Sequence, residues 1–206
     1  MMSMSISYEE TGRRSQKART RAALVEAARE LLTRGRAPTV EEAATAASVS
    51  RATAYRYFAN QQALLVAAHP EVETASLLGT DAPSDPEERL DLVVTALARI
   101  FLDAEPSYRT MLRLSLETGT DRGELALRKG RRYLWIRDAL APLRDRLPRA
   151  ELDRLVHAVA VTIGIEALVT LVDLAGLSRR RAVGVMRWSA RAQLRSALAE
   201  SAKPTR

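Results

Sequence analysis

Apolar residues recur at three- and four-residue intervals along nearly the whole chain. No run of alternating β-branched residues interrupts them, so the pattern predicts an all-α fold. A first helix is expected over about 15–34, with Ala18, Ala22, Val25, Ala28, Leu31 and Leu32 inward and Gly35 as its stop. Residues 1–14 are expected to precede it as a flexible arm. Thr39 with Glu42 three positions later spells a capping box for a short second helix whose buried stripe is Val40, Ala43, Ala44 and Ala47. Ser50 caps a third carrying Ala54, Tyr55 and Phe58, and Asn60 caps a fourth running through Leu64 and Leu65. The segment 79–85 breaks the pattern as a connection. Asp85, Pro86 and Glu88 then mark a sharp start for a helix through Leu90, Val93, Val94, Leu97, Ile100 and Phe101. Further helices are expected over about 107–118, 123–147 with a bend at Pro142, 150–175 and 179–200.

Composition removes several classes. With no cysteine, disulfides, thiolate nucleophiles and Cys-ligated metals are excluded. The longest stretch without a formal charge, Tyr57 to Pro70, is fourteen residues, short of the ~18 a membrane span needs, so no membrane is expected. Residues 1–10 lack the basic start and apolar block of a signal peptide, which makes the cytoplasm the expected location. Two histidines, no His-x-x-His pair, no Gly-rich phosphate loop and no G-x-S-x-G elbow leave no catalytic residue, metal site or cofactor to name. A small all-α enzyme is therefore the weak alternative, beside a helical protein-binding module. The 32 Lys+Arg against 25 Asp+Glu give +7, and only three of the basic residues are lysines, a surplus that favours a polyanionic partner. Residues 1–65 hold ten basic and six acidic residues, so charge is denser in the N-terminal part.

The informative stretch is Thr39 to Leu65. Two short helices with small inner residues, separated by three or four residues, can cross closely in a helix-turn-helix. With Val49, Ala54 and Phe58 inward, Arg51, Thr53, Tyr55 and Arg56 are left outside, and such groups at a helix start suit a DNA groove. Upstream, Arg13, Arg14, Lys17, Arg19 and Arg21 form a segment without acidic residues, either a solvated helix start or a set of phosphate and minor-groove contacts.

Ala43, Ala44, Val49, Ser50, Thr53, Tyr55, Tyr57, Phe58 and Leu64 together resemble the DNA-binding domain of the TetR (tetracycline-repressor-like) transcriptional regulators. The resemblance covers Arg21 to Leu65. It implies that residues 15–70 form a helix-turn-helix domain and 71–206 a helical effector-binding and dimerisation domain. It also implies that Arg51 and Thr53 meet bases or nearby phosphates, that Tyr55 donates to a phosphate, and that Thr39 helps at the start of the second helix. Lys17, Ser50, Arg56, Asn60 and Gln61 complete the candidate set, and Tyr57 is either groove edge or packing. Three departures stand out: Ser48 and Ala52 where the family has Gly, and Gln61 where it has Lys. Ser48 must hold a turn that glycine takes more cheaply. Losing a phosphate-facing cation at Gln61 should make the salt dependence shallower by roughly one unit of log-log slope.

Beyond residue 86 the resemblance is confined to helicity, and spacing carries the reading. Thr162, Glu166, Thr170 and Asp173 form a polar stripe on the otherwise apolar helix 150–175, either a solvated edge or the lining of a cavity with arginine partners. Arg109, Arg113, Arg128 and Arg132 are the candidates for those partners, and Trp135, Tyr108, Phe101 and Met111 form either an apolar pocket wall or plain core. The candidate effector set is thus Phe101, Tyr108, Arg109, Met111, Arg132, Trp135, Thr162 and Glu166, with His157 structural. Arg179 to Arg181 read as a solvated run. Small residues on 179–200 beside the apolar helix before it suit a four-helix interface between two copies, and the resemblance points to the same homodimer, about 150–200. Double-stranded DNA and an unidentified small-molecule effector are the remaining expected partners. A twofold dimer would place two recognition helices about 34 Å apart on a palindromic operator.

Overall fold

A computed structural model describes residues 4–69, 74–116 and 131–202, with the side chains of the first helix described from Gly12 onward except that of Arg13. Helices account for the architecture, without a strand among the described residues, and the chain divides into two compact units, Met1–Val72 and Glu73–Arg206.

The first unit holds α1 (Met4–Thr33), α2 (Val40–Ala46), α3 (Arg51–Tyr57) and α4 (Gln61–Ala68). α1 begins at Met4 and not near Ser15, so the segment expected as a flexible arm is helical from its fourth residue. Between Met4 and Thr33 there is no proline and a single glycine, Gly12, which costs only about 1 kcal/mol against alanine and does not stop a helix. The inward face of α1 is also rotated from the expected one. Leu24, Val25, Ala27 and Ala28 are buried while Ala18 and Ala22 are exposed, because only the half of α1 beyond Leu24 has other helices to pack on. Gly35, at φ 74°, turns the chain out of α1 as expected, with its N–H on the Leu32 carbonyl at 2.9 Å. Leu24, Val25 and Ala28 meet Val40, Ala43, Ala44, Ala54, Phe58, Leu64 and Ala68 in one core. Small residues dominate it on α2 and α3, which lets the short helices approach closely. From α1, Arg29 Nε donates to the Ala68 carbonyl at 3.0 Å and fastens the end of α4.

In the second unit, α5 (Pro86–Asp103) is followed by α6 (Glu105–Leu116), α7 (Arg131–Ala139), α8 (Arg149–Thr162), α9 (Ile165–Val169) and α10 (Arg179–Ser201). α10 packs against α5 and α8, α7 against the same two, and α6 against α9. Asp85 accepts from Glu88 N at 2.9 Å with Pro86 in the first turn, the start its sequence announces. Residues 123–130 of the expected helix 123–147, with Arg128, lie outside the described residues. α7 ends at Ala139 rather than continuing to Pro142, which sits in a 3₁₀ turn over Ala141–Leu143. Arg89 on α5 receives that end, donating to the carbonyls of Asp138 and Ala139, each at 3.0 Å.

The expected helix 150–175 is broken. Gly164 has φ 151° and ψ 179°, α8 and the segment 165–174 are bent by 42°, and residues Thr170–Leu174 widen into a π-helix. Arg132 of α7 occupies the notch. Its Nη1 donates to the Ile163 carbonyl at 2.8 Å and to Glu166 Oε2 at 3.1 Å, and it would lie 2.0 Å from a Cβ at position 164. The helix yields there because only glycine takes that backbone and leaves room for the guanidinium. Among the described residues, no single helix is long and apolar enough to cross a membrane.

α5 and α10 are joined by a ladder of charges. Arg187 pairs with Asp91 through two bonds of 2.8 and 2.5 Å, Arg191 reaches the same carboxylate at 3.2 Å, and Arg195 grips Glu87 at 2.9 and 2.6 Å. Descending numbers on one helix meet ascending numbers on the other, so the two run antiparallel. Beneath the ladder lies a row of buried residues, Ala182, Met186, Ala190 and Leu194.

Candidate nucleic-acid interface

Three caps place α2, α3 and α4. Thr39 Oγ1 accepts from Glu42 N at 3.2 Å and Thr39 N donates to Glu42 Oε2 at 2.8 Å, the reciprocal box its sequence spells. Glu42 also pairs with Arg36. Ser50 Oγ accepts from Thr53 N at 3.2 Å and donates to Thr53 Oγ1 at 2.8 Å. Asn60 Oδ1 accepts from Ala63 N at 2.8 Å. Between α2 and α3, Ser48 stands at φ 55°, the left-handed conformation its position implies.

With Ala54 and Phe58 buried, α3 turns Arg51, Tyr55 and Arg56 outward and leaves Thr53 half-exposed beside its cap. Tyr57 is half-buried against the core, which favours its packing role. Lys17, Arg14 and Arg19 are exposed along α1. Arg21 is drawn back over the Phe58 ring, its guanidinium carbon 5.4 Å from the centroid. Gln61 departs from its expected orientation: Nε2 donates to the carbonyls of Ala37 at 3.2 Å and Pro38 at 3.0 Å, so this side chain braces the loop before α2. A neutral amide can serve two carbonyls there.

One residue of this surface escapes a reading by outward cations and phenols. Glu41 Oε1 accepts from the Tyr55 hydroxyl at 2.6 Å and forms an ion pair with Arg51 Nη2 at 3.0 Å, and the Arg51 guanidinium carbon lies 5.7 Å from the Tyr55 ring centroid. The phenol, then the Arg51 charge, hold the Glu41 carboxyl below its ordinary value, while the same hydrogen bond pushes the Tyr55 phenol up. A signal existed, since Glu41 and Glu42 are the only acidic residues between Leu31 and Pro70.

The residues expected to receive an effector fall into two groups. Phe101, Tyr108, Met111 and Trp135 are buried. Phe101 and Tyr108 pack edge to face at 4.8 Å, and Trp135 Nε1 donates to the Thr74 carbonyl at 3.0 Å. The polar ones hold partners within the unit. Arg109 makes a two-bond grip on Asp173 at 2.6 and 2.9 Å and a bond of 2.7 Å to Glu105, and Arg132 holds Glu166 at the notch. Thr162 Oγ1 returns to the Val159 carbonyl at 2.9 Å. With α8 ending at Thr162, the stripe Thr162, Glu166, Thr170 and Asp173 does not form one helix face. Arg179, expected in a solvated run, instead donates to Glu105 at 2.8 and 3.2 Å. Glu105 has only 10% of its side chain exposed. Arg179 first and Arg109 after it hold its carboxyl below the usual range, against the opposing effect of burial. Two open grooves, of about 270 and 530 Å³, lie at the α5–α10 surface around Glu87 and Arg191, and neither is lined by the expected effector residues.

Residues 24–68 match the family model described as bacterial regulatory proteins, tetR family. In fold, the chain is similar to a TetR transcriptional regulator from Rhodococcus sp. RHA1, at TM-score 0.65 and 19% sequence identity over 86% of this chain and 97% of that one. It is likewise similar to a tetR-family transcriptional regulator from Streptomyces coelicolor, at TM-score 0.63 and 20% identity over 89% of this chain and 83% of that one. No curated protein sequence matches the chain.

Proposed function

From a TetR-family helix-turn-helix segment at residues 24–68, we propose that this chain is a sequence-specific DNA-binding transcriptional regulator. It represses as a homodimer on a palindromic operator and releases the operator when a small molecule binds the C-terminal unit. The observation that carries this reading is α3 itself. It is a capped helix on a small-residue core that presents Arg51, Tyr55 and Arg56 to solvent, with Lys17, Arg14 and Arg19 exposed on α1 of the same unit. Arg51 and Thr53 would address base edges, while Arg56, Lys17 and the caps at Thr39, Ser50 and Asn60 would set phosphate contacts and helix position. Gln61 would act through the loop it braces.

Pairing is supported by apolar side chains left at the surface of the two helices expected to form the interface. Val161 on α8 is 73% exposed, and Trp188 on α10 is 65% exposed with Val185 beside it. For the effector, Phe101, Tyr108, Met111 and Trp135 would supply apolar contact, and Arg109, Arg132, Thr162 and Glu166 would exchange an internal partner for a ligand group. A coupling of about 1–3 kcal/mol would weaken operator binding about 5- to 150-fold. The test is an anisotropy titration of the full chain against duplexes from around its own gene. Binding below about 100 nM at physiological salt, well above the affinity for random duplex, is expected. Equal affinity for both would overturn the reading.

A further inference from the structure

We infer that Glu41 determines specificity on this surface, by turning Arg51 and Tyr55 of α3 toward base edges and away from phosphates. This rests on the DNA-binding reading above and goes beyond it, since no outward cation or phenol of α3 predicts a role for an acid on α2.

The argument begins with donors. A tyrosine hydroxyl has one proton, and that of Tyr55 is committed to Glu41 Oε1 at 2.6 Å. What the phenol then offers outward is a lone pair, which repels a phosphate and accepts from a base amino group. Arg51 has five N–H groups, and its Nη2 forms an ion pair with the same oxygen at 3.0 Å while its guanidinium carbon lies 5.7 Å from the Tyr55 ring centroid. Placed between the carboxylate and the ring, the guanidinium keeps its donors for a paired contact with a single base edge rather than acting as a point charge sliding along the backbone. The third element is the carboxylate charge itself. It stands beside the cation at the start of α3 and opposes the close approach of phosphate.

Non-specific duplex offers this surface mainly phosphates. To take one, Arg51 must leave Glu41 and Tyr55 must redirect its proton. On an operator, the base edges accept the side chains as they are already held. Removing the acid should therefore help the wrong DNA more than the right one. The pair is exposed, with 75% of the Arg51 and 38% of the Glu41 side chain open to solvent, so a moderate change is expected.

The experiment uses the full-length protein with Glu41→Gln and Glu41→Ala, a palindrome selected from random duplexes by the wild type, and a random duplex of equal length. In both variants the affinity for random duplex should rise about three- to tenfold at physiological salt. Its log-log salt slope should steepen by about one unit, and affinity for the selected palindrome should not rise. The ratio of the two affinities accordingly falls. In the free protein, ring-carbon NMR should show the Tyr55 ionisation of Glu41→Ala moving down toward the ordinary tyrosine value. Both duplexes gaining by the same factor, or an unchanged ratio, overturns the inference, as does a Tyr55 ionisation that ignores the substitution. A wild-type selection that enriches no sequence fails differently, because it removes the regulator reading beneath it.

Discussion

In the N-terminal unit, Thr39, Ser50 and Asn60 each accept from a backbone N–H three residues ahead, and the longer side-chain bonds span 14 residues from Tyr55 to Glu41, 24 from Gln61 to Ala37 and 39 from Arg29 to Ala68. In the C-terminal unit, Arg109 reaches 64 residues to Asp173, Arg179 reaches 74 to Glu105, and Arg195 reaches 108 to Glu87. The first unit is shaped by local caps and shorter reaches, the second by arginines that bridge helices farther apart along the chain. Short helices without a long apolar face need caps to begin at all, whereas a bundle of longer helices is positioned by what crosses between them.

The contrast can be broken most sharply at α3. If its polar residues serve DNA and contribute little to folding, Arg51→Ala with Tyr55→Ala should lower operator affinity by about 100-fold or more, on the scale of losing specific base contacts. The midpoint of thermal unfolding should stay within a few degrees, because exposed pairs contribute at most about 1 kcal/mol. Fluorescence anisotropy beside calorimetry checks both halves, and loss of fold would make these residues structural.

The opposite behaviour is expected at the notch. Gly164→Ala places a Cβ where Arg132 lies, in a backbone region open essentially to glycine alone, and should cost about 2–3 kcal/mol in urea unfolding. Glu105→Gln removes the shared acceptor of Arg109 and Arg179. The loss should be about 1–3 kcal/mol, less than for a fully buried pair because Arg179 is more than half exposed. Its pH signature has a definite sign. The arginines lower the folded-state pKa of Glu105, so its stabilisation is complete above the ordinary glutamate value of about 4.3 and is lost as pH falls through the lowered one. Glu105→Gln should flatten that acid limb, which unfolding free energies across acidic pH will read. The smallest effect is local: Ser48→Gly should stabilise the N-terminal unit by about 0.5 kcal/mol, the relief of a left-handed serine less the entropy of glycine.

Legibility in the sequence followed the same division. The starts of α2, α3, α4 and α5 could be read at Thr39, Ser50, Asn60 and Asp85 because a cap is a relation among four adjacent residues. The outward set on α3 follows from the same register. The break at Gly164 could not be read, because the run from Val159 to Val169 is apolar enough for one helix and a single glycine seldom ends one. The reason for the break is a guanidinium arriving from Arg132, more than thirty residues away. Arg179 looked solvated for the same reason, its partner being visible only once α6 and α10 are in place. Glu41 lies between these cases, close in sequence to Arg51 and Tyr55 yet outside any pattern of outward cations and phenols.

The ladder between α5 and α10 carries an ambiguity of its own. Its arginines repeat every fourth residue, so a slide of α10 by one turn could leave Asp91 with Arg187 and hand Glu87 to Arg191, both carboxylates still satisfied. Electrostatics would tolerate that misalignment. Steric bulk would not: the hidden row alternates alanine with methionine or leucine, so the same step drives Met186 into the place shaped for the Ala190 methyl group and leaves alanines where Met186 and Leu194 had filled the space. Attraction thus brings the two helices together, and volume alone decides at which notch they stop.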